Sequence, residues 1–254
     1  ISDLLSIKYW VIIGCKYYLC KCKIVNKSPY FKVIDNVLYN SEMSELISYI
    51  SEYNNFIIPL SIKSINSGAF CNCDLLNSII ISSNVTSIGN GTFARCKLLK
   101  YIIIPESIKN IGKNPFAGCK CKIVNNSPYF KVMDNVLYNS EMSNLICYMS
   151  ESKIFNVPSN VIIIDDNAFW ECDELLAINI SSNVKYIGNN AFNSCCSLKC
   201  VMINSVRINI GNSIFNNCPS LQEIIIPLES RSKFEKLLPD YKDKLKESGN
   251  LGIL

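Results

Sequence analysis

Apolar and polar residues along this chain fall into a 23-residue period. The clearest unit is Lys97–Cys119, KLLKYIIIPESIKNIGKNPFAGC. It places apolar side chains at its third, sixth and eighth positions, Ile-Gly at the fifteenth and sixteenth, Phe at the twentieth and Cys at the twenty-third. The skeleton recurs in Asp74–Cys96, Asp173–Cys195 and Cys196–Cys218. Within the unit, Leu99 to Ile104 predicts a short strand. Side chains alternate across a strand, so Leu99, Ile102 and Ile104 face a core while Ile103 faces away. Pro105 ends the strand, because it lacks an N–H and its φ is fixed. Ile108, Ile111 and Gly112 then begin a return wall, with Gly112 expected to supply a permissive φ at the corner. Phe116 and Cys119 close the coil. A repeat of roughly 20–50 residues signals a stacked architecture, since no single coil can bury its own apolar edge.

A longer unit, Lys21–Cys73, returns 99 residues later as Lys120–Cys172, with 33 of 53 positions identical. Residues 21–119 and 120–218 therefore read as two tandem copies of one three-unit block, a duplication that solenoids tolerate because each coil touches only its neighbours. Inside the long unit, Tyr30–Ile34 and Val37–Tyr39 flank Asp35-Asn36. Aromatic and β-branched arms around an Asx pair predict a β-hairpin. Residues 1–20 carry Tyr9, Ile12, Tyr17 and Cys20 in the repeat register and read as a degenerate partial repeat, with the chain expected to be part of a longer protein. Residues 219–254 read as a last strand, Leu221–Ile226, and a helical cap. In the cap, Phe234, Leu237, Leu238, Tyr241 and Leu245 fall at helical spacing, Ser230 or Ser232 is placed to cap, and Pro239 either kinks the middle of the segment or splits it into two short helices. The whole predicts one continuous solenoid of roughly ten to twelve right-handed coils.

Composition narrows the chemistry. Apolar residues make up 49% and charged residues 18% of the chain, which is enough to bury a large core. The formal charge of +4 is mild and spread out, so no nucleic-acid footprint is expected. There is no histidine, which removes imidazole catalysis and imidazole metal ligation. The apolar run Tyr9–Cys15 is too short to span a bilayer, and no transmembrane segment is expected. Among the fourteen cysteines, Cys20, Cys73, Cys96, Cys119, Cys172, Cys195 and Cys218 all hold the last place of a repeat. A residue that recurs once per coil points inward, so these are read as packed, reduced thiols and not as disulfides or a metal set. The carboxylate pairs Asp165-Asp166 and Asp173-Glu174 have no base or ligand partner in the pattern and read as solvated turns. Asn26, Asn84, Asn90 and Asn125 begin N-x-S/T triplets, a weak sign of secretion. No nucleophile–base pair, phosphate loop or cofactor motif is visible, so no enzyme activity and no cofactor are expected.

The motif of Leu99–Cys119, L-x-x-I-x-I-P-x-x-I-x-x-I-G-x-x-x-F-x-x-C, resembles the BspA-like leucine-rich repeats of bacterial and protist surface proteins. The hairpin insert and the tail IIIPLESRSKFEKLLPDYKDKL are similar to modules of the same family, and the likeness covers about residues 21–246. It implies a leucine-rich repeat solenoid with a parallel sheet on one face, inserted β-hairpins and a helical cap. Its role would be adhesion or ligand binding at a cell surface rather than catalysis. Two positions depart from the pattern: Arg207 stands where an apolar residue is expected, and Pro115 replaces the usual Ala before Phe.

The outward seventh position of each unit is the candidate contact surface. It holds Ile57, Ile80 and Ile103 in the first block, with Tyr101 beside Ile103, and Asn156, Asn179 and Met202 in the second, followed by Ile225. Contiguous exposed isoleucines on a sheet face mark a protein contact, although an Ile-rich chain also fills strands with β-formers for no other reason. The expected partner is a protein or a cell-surface or matrix ligand, with self-association through the strand face as a further possibility. The expected location is the cell surface or secreted; a cytoplasmic scaffold is the alternative, favoured by the many thiols.

Overall fold

The structure, a computed structural model, describes residues 25–249. The degenerate repeat expected at residues 1–20 lies outside them. The described chain forms a β-solenoid of about nine turns with parallel strands. It divides into two compact units, residues 25–132 and 133–249 of the described chain.

Each unit has two strand walls. In the first, the wall of longer strands contains Asn55–Ile57 paired with Ser78–Ile80, and Tyr101–Ile104 paired with Lys122–Asn125, both parallel. The return wall contains the two-residue strands Ser64–Ile65, Ser87–Ile88 and Asn110–Ile111, in parallel register at 23-residue spacing. The second unit repeats this with Ile154–Asn156, Ala177–Ile180, Cys200–Ile203 and Glu223–Pro227 on one wall. Its return wall holds Ile163–Ile164, Tyr186–Ile187 and Asn209–Ile210.

The hairpin forms where the Asx pair predicts it. Phe31–Ile34 and Val37–Asn40 pair antiparallel across Asp35 and Asn36, whose φ values of 49° and 61° suit a primed two-residue turn. A third strand, Glu45–Tyr49, pairs antiparallel with Val37–Asn40 and parallel with Ser64–Ile65. The insert thus extends the return wall. The triplets at Asn26 and Asn125 belong to this insert: each Nδ2 donates to two carbonyls, those of Ser28 and Phe31, and those of Ser127 and Phe130. Local turn geometry accounts for both asparagines.

Between the walls lies a stacked core. Tyr49, Phe70, Phe93 and Phe116 follow one another with ring centroids 5.0, 5.2 and 5.7 Å apart. In the second unit Tyr148, Phe169, Phe192 and Phe215 repeat the column at 4.8, 4.9 and 5.5 Å. The rings are offset-stacked because consecutive coils stand one strand spacing apart, with 12–29° between planes. Beside each ring runs a sulfur ladder. The thiols of Cys96, Cys119, Cys195 and Cys218 donate to the carbonyls of Phe70, Phe93, Phe169 and Phe192 at 2.8–3.0 Å. Contact with the thiol of a neighbouring cysteine, and then burial, raise the pKa values of Cys96, Cys119, Cys195 and Cys218 well above the ordinary thiol value.

Glycine works differently from the expectation. Gly112 does not have a positive φ. A Cβ there would collide with the backbone nitrogen and Oδ1 of Asn90 on the previous coil, and one at Gly188 would strike the Asp166 nitrogen. Ile-Gly recurs because adjacent coils touch backbone to backbone at that corner. The left-handed residues lie elsewhere, at the eighteenth and twenty-second positions: Gly91, Asn190 and Ser213 at one, Arg95, Gly118, Glu171 and Ser194 at the other. At the same corner Asp166 Oδ1 accepts from the Asn189 amide at 2.9 Å, and Asn189 Oδ1 from the Asn212 amide at 2.8 Å. Asp165 accepts from Asn144 Nδ2 at 3.1 Å. These aspartates knit neighbouring coils together and are not merely solvated turn residues.

Both departures from the repeat are accommodated. Pro115 keeps the one group its place needs, a carbonyl that accepts from the Phe93 amide at 2.8 Å. Arg207 turns outward, and Ile208, one residue later, is fully buried in its stead. At the end of the chain the expected cap is realised as an α-helix, Arg231–Leu237, and a 3-10 helix, Pro239–Lys244, broken at Leu238–Pro239. Phe234 and Leu238 are buried, and Tyr241 meets Phe215 edge-on at 5.5 Å. Leu245 does not continue the helix. It opens a final strand, Leu245–Ser248, parallel to Glu223–Pro227. Neither predicted serine caps by its side chain; Glu247 Oε1 accepts from the Ser230 and Arg231 amides instead, each at 2.9 Å.

Phe93→Ala and Phe192→Ala should each cost about 3–5 kcal/mol in urea denaturation, because a ring is removed from the middle of a column that cannot collapse. Gly188→Ala should cost about 1–3 kcal/mol by forcing two backbones apart. The raised thiols set the sign of the alkaline response. The folded chain holds protons that the unfolded chain releases above about pH 9, so stability should fall from there upward by up to about 1.4 kcal/mol per pH unit for each buried thiol. Burial raises Tyr49 and Tyr148 to about 12, and both add to the loss above pH 10. Unfolding free energies between pH 7 and 10.5 check this, and a flat profile would refute it.

Candidate binding surface

The alternation of the longer strands decides what the outer wall shows. In Tyr101–Ile104 the second and fourth residues are fully buried, while Tyr101 and Ile103 remain exposed. The predicted seventh positions of the first unit are exposed as expected: Ile57 by 67%, Ile80 by 57% and Ile103 by 43%. Ile57 is in direct register with Ile80, and Ile103 with Val124. Val124, 40% exposed, extends the apolar stripe. It escaped the sequence reading because it lies in the long unit, ahead of the hairpin, where the 23-residue register is interrupted.

The second unit differs at the same places. Met202, expected on the exposed stripe, is only 7% exposed, and Ile225 is half-buried. The strand of Met202 lies in the middle of a continuous five-stranded wall, with Asn179 and Ile225 in register on either side. Its flexible thioether lies down between those neighbours. In the first unit, among the described residues, each of these strands has one register partner, and Ile80 and Ile103 stand clear. Asparagines occupy the rest of the second unit's row: Asn179 Nδ2 donates to Asn156 Oδ1 at 3.1 Å, and Asn204 Nδ2 to Asn179 Oδ1 at 2.6 Å. Toward the cap, Lys246 meets Glu223 at 2.7 Å, and that contact holds the Glu223 carboxyl below its usual range. Burial and then Glu223 push the Cys200 thiol up to about 11. The first unit thus shows an apolar stripe where the second shows mainly amides and an ion pair.

Among the described residues no group of three or more His, Cys, Asp or Glu is arranged to hold a metal ion. Among the same residues no helix is long and apolar enough to cross a membrane.

Comparison with known proteins places this architecture. The model of the BspA type leucine rich repeat region matches residues 44–144 and 140–237, with six copies. Comparison with curated proteins gives no match. Two similar solved structures are the pneumococcal vaccine antigen PcpA and a leucine rich cell surface protein from Faecalibacterium prausnitzii. The first is 20% identical with a TM-score of 0.60, covering 72% of this chain and 54% of that one. The second is 26% identical with a TM-score of 0.57, covering 72% of this chain and 57% of that one. The chain thus spans little more than half the length of either. The 23-residue skeleton, the stacked Phe and Cys columns and the match over most of the sequence lead to one conclusion: the chain belongs to the BspA-type leucine-rich repeat family.

Proposed function

We propose that this chain is a non-catalytic binding module of a cell-surface protein. On this reading it engages a partner protein or matrix ligand through the outer wall of its first unit. The carrying observation is the exposed stripe of Ile57, Ile80, Tyr101, Ile103 and Val124. Five large apolar side chains on adjacent strands are costly to leave in water, and a patch of this kind on a rigid sheet suits burial against a partner. Solenoids commonly bind through such extended faces. The comparison within the chain adds weight: the second copy of the block keeps the fold with asparagines at two of the matching places, so the isoleucines are not required by the architecture. Kinship with a bacterial cell surface protein and a vaccine antigen supports a surface location.

One observation favours a second reading. Cys96, Cys119, Cys172, Cys195, Cys196, Cys200 and Cys218 are all thiols, which suits a reducing compartment and an intracellular scaffold of the same fold. Surface labelling of intact cells separates the two.

The double variant Ile80→Asp/Ile103→Asp should keep the parent's circular dichroism and melting temperature, since both side chains already face solvent. It should lose binding in a screen against matrix proteins and cell surfaces, and lose any self-association seen by sedimentation. Association equal to the parent's would remove the apolar face from the reading.

A further inference from the structure

The second unit carries a groove that the apolar face does not explain. Its volume is about 440 Å³, within the range of ligand-sized clefts. Its walls repeat with the coils. Ser159, Ser182 and Ser205 form one row at 23-residue intervals, and Asn160 and Asn183 form the next. Ile162, Lys185 and Arg207 complete it. The asparagine amides are committed to the loops: Asn160 Nδ2 donates to the Met142 carbonyl at 3.0 Å, and Asn183 Nδ2 to the Ser159 carbonyl at 2.6 Å. Those bonds fix the side chains and leave their carbonyl oxygens as acceptors. The serine hydroxyls add further groups that can both donate and accept.

The charges are unbalanced. Lys185 and Arg207 are exposed, and neither forms an ion pair with a described residue. Lys233 of the cap donates to the Val206 carbonyl at 2.7 Å, which brings a third cation beside Arg207 in the chain. Arg207 is also the residue that breaks the repeat, since Ile208 takes its core place so that the guanidinium can turn out. The first tandem copy, 99 residues earlier, has no such set. Leu60 stands for Ser159, Thr86 for Lys185, Glu106 for Ser205 and Ile108 for Arg207. Ser61, Ser83 and Asn84 keep polar groups at the places of Asn160, Ser182 and Asn183, so what belongs to the second copy alone is the Lys185–Arg207 pair and the unbroken row of three serines.

From these features we infer that the groove binds a linear acidic glycan, with its carboxylate or sulfate groups on Arg207 and Lys185 and its hydroxyls on the Ser and Asn rows. A planar guanidinium matches the two oxygens of a carboxylate or sulfate. Rows that recur once per coil match a ligand that itself repeats. Ile162 is the one apolar side chain among these hydroxyl and amide oxygens, and a lining of that kind, without an aromatic wall, suits a hydroxyl-rich chain whose sugar rings also carry an apolar face. The inference stands apart from the protein-binding reading, and Ile80→Asp/Ile103→Asp should leave it untouched.

The test is calorimetric titration of the full chain, at about 150 mM salt, with a sulfated hexasaccharide of alternating uronic acid and glucosamine. Its desulfated, carboxyl-reduced form and a glutamate hexapeptide serve as comparison ligands. The sulfated glycan should bind, the neutral form should not, and the peptide should bind at least about tenfold more weakly. Lys185→Gln/Arg207→Gln should lower glycan affinity by about tenfold or more with an unchanged melting temperature. Ser182→Glu, which adds charge and leaves both cations in place, should do the same. Lys63→Gln in the first unit should change nothing. Failure of the parent chain to bind the sulfated glycan would overturn the inference. So would equal binding of the neutral form or the peptide, or parent-like affinity in both groove variants.

Discussion

Everything in this molecule depends on each coil being covered by the next. A coil of 23 residues has two short strands and two corners, too little to enclose a core. Its Phe ring becomes buried only when the rings of adjacent coils lie about 5 Å above and below it. Its backbone is in the same position. At the corner after Phe, the amides of Gly91, Phe93 and Arg95 donate to the carbonyls of Lys113, Pro115 and Ala117 on the following coil. The sulfur ladder, the Asp and Asn corner bonds and the glycine contact all span the same step. Hydrophobic burial supplies the driving force, and the 23-residue register ensures that the polar groups carried inward meet partners.

That dependence explains which residues are free to vary. Positions facing the column are held by shape: Phe, Cys and Ile recur there with few exceptions, and where Arg207 intrudes the next residue moves in to fill the core. The outward fifth and seventh positions answer only to solvent and partners. Over the same fold the seventh place carries Ile57, Ile80 and Ile103 in one unit and Asn156, Asn179, Met202 and Ile225 in the other. Function in such a scaffold is written on positions the fold does not use.

Much of this architecture was legible in the sequence. The period, the buried sixth and eighth residues, the Asx hairpin and the helix break at Pro239 all follow from local pattern, because each is set by neighbours within one coil. What escaped the reading depended on the adjacent coil. Gly112 looks like a corner needing a special φ, yet it is a backbone contact with Asn90, 22 residues earlier. Asp166 looks solvated until the Asn189 amide of the next coil is placed against it. Met202 looks like Ile80 in the alternation and differs only because strands lie on both sides of it. Leu245 fits a helical spacing, but the free edge of Glu223–Pro227 claims it as a strand, and Glu247 then takes the capping role expected of serine.

The two copies of the block also bear on how binding could be divided along one chain. They are 33/53 identical over the long unit, and their hairpins and aromatic columns match closely. Their surfaces have nonetheless separated in opposite senses: the first shows bare isoleucines on the strand wall, while the second places cations and hydroxyls in a loop groove. Because each coil contacts only its neighbours, either surface can change without disturbing the other, and a solenoid can hold chemically different faces at a small cost in stability.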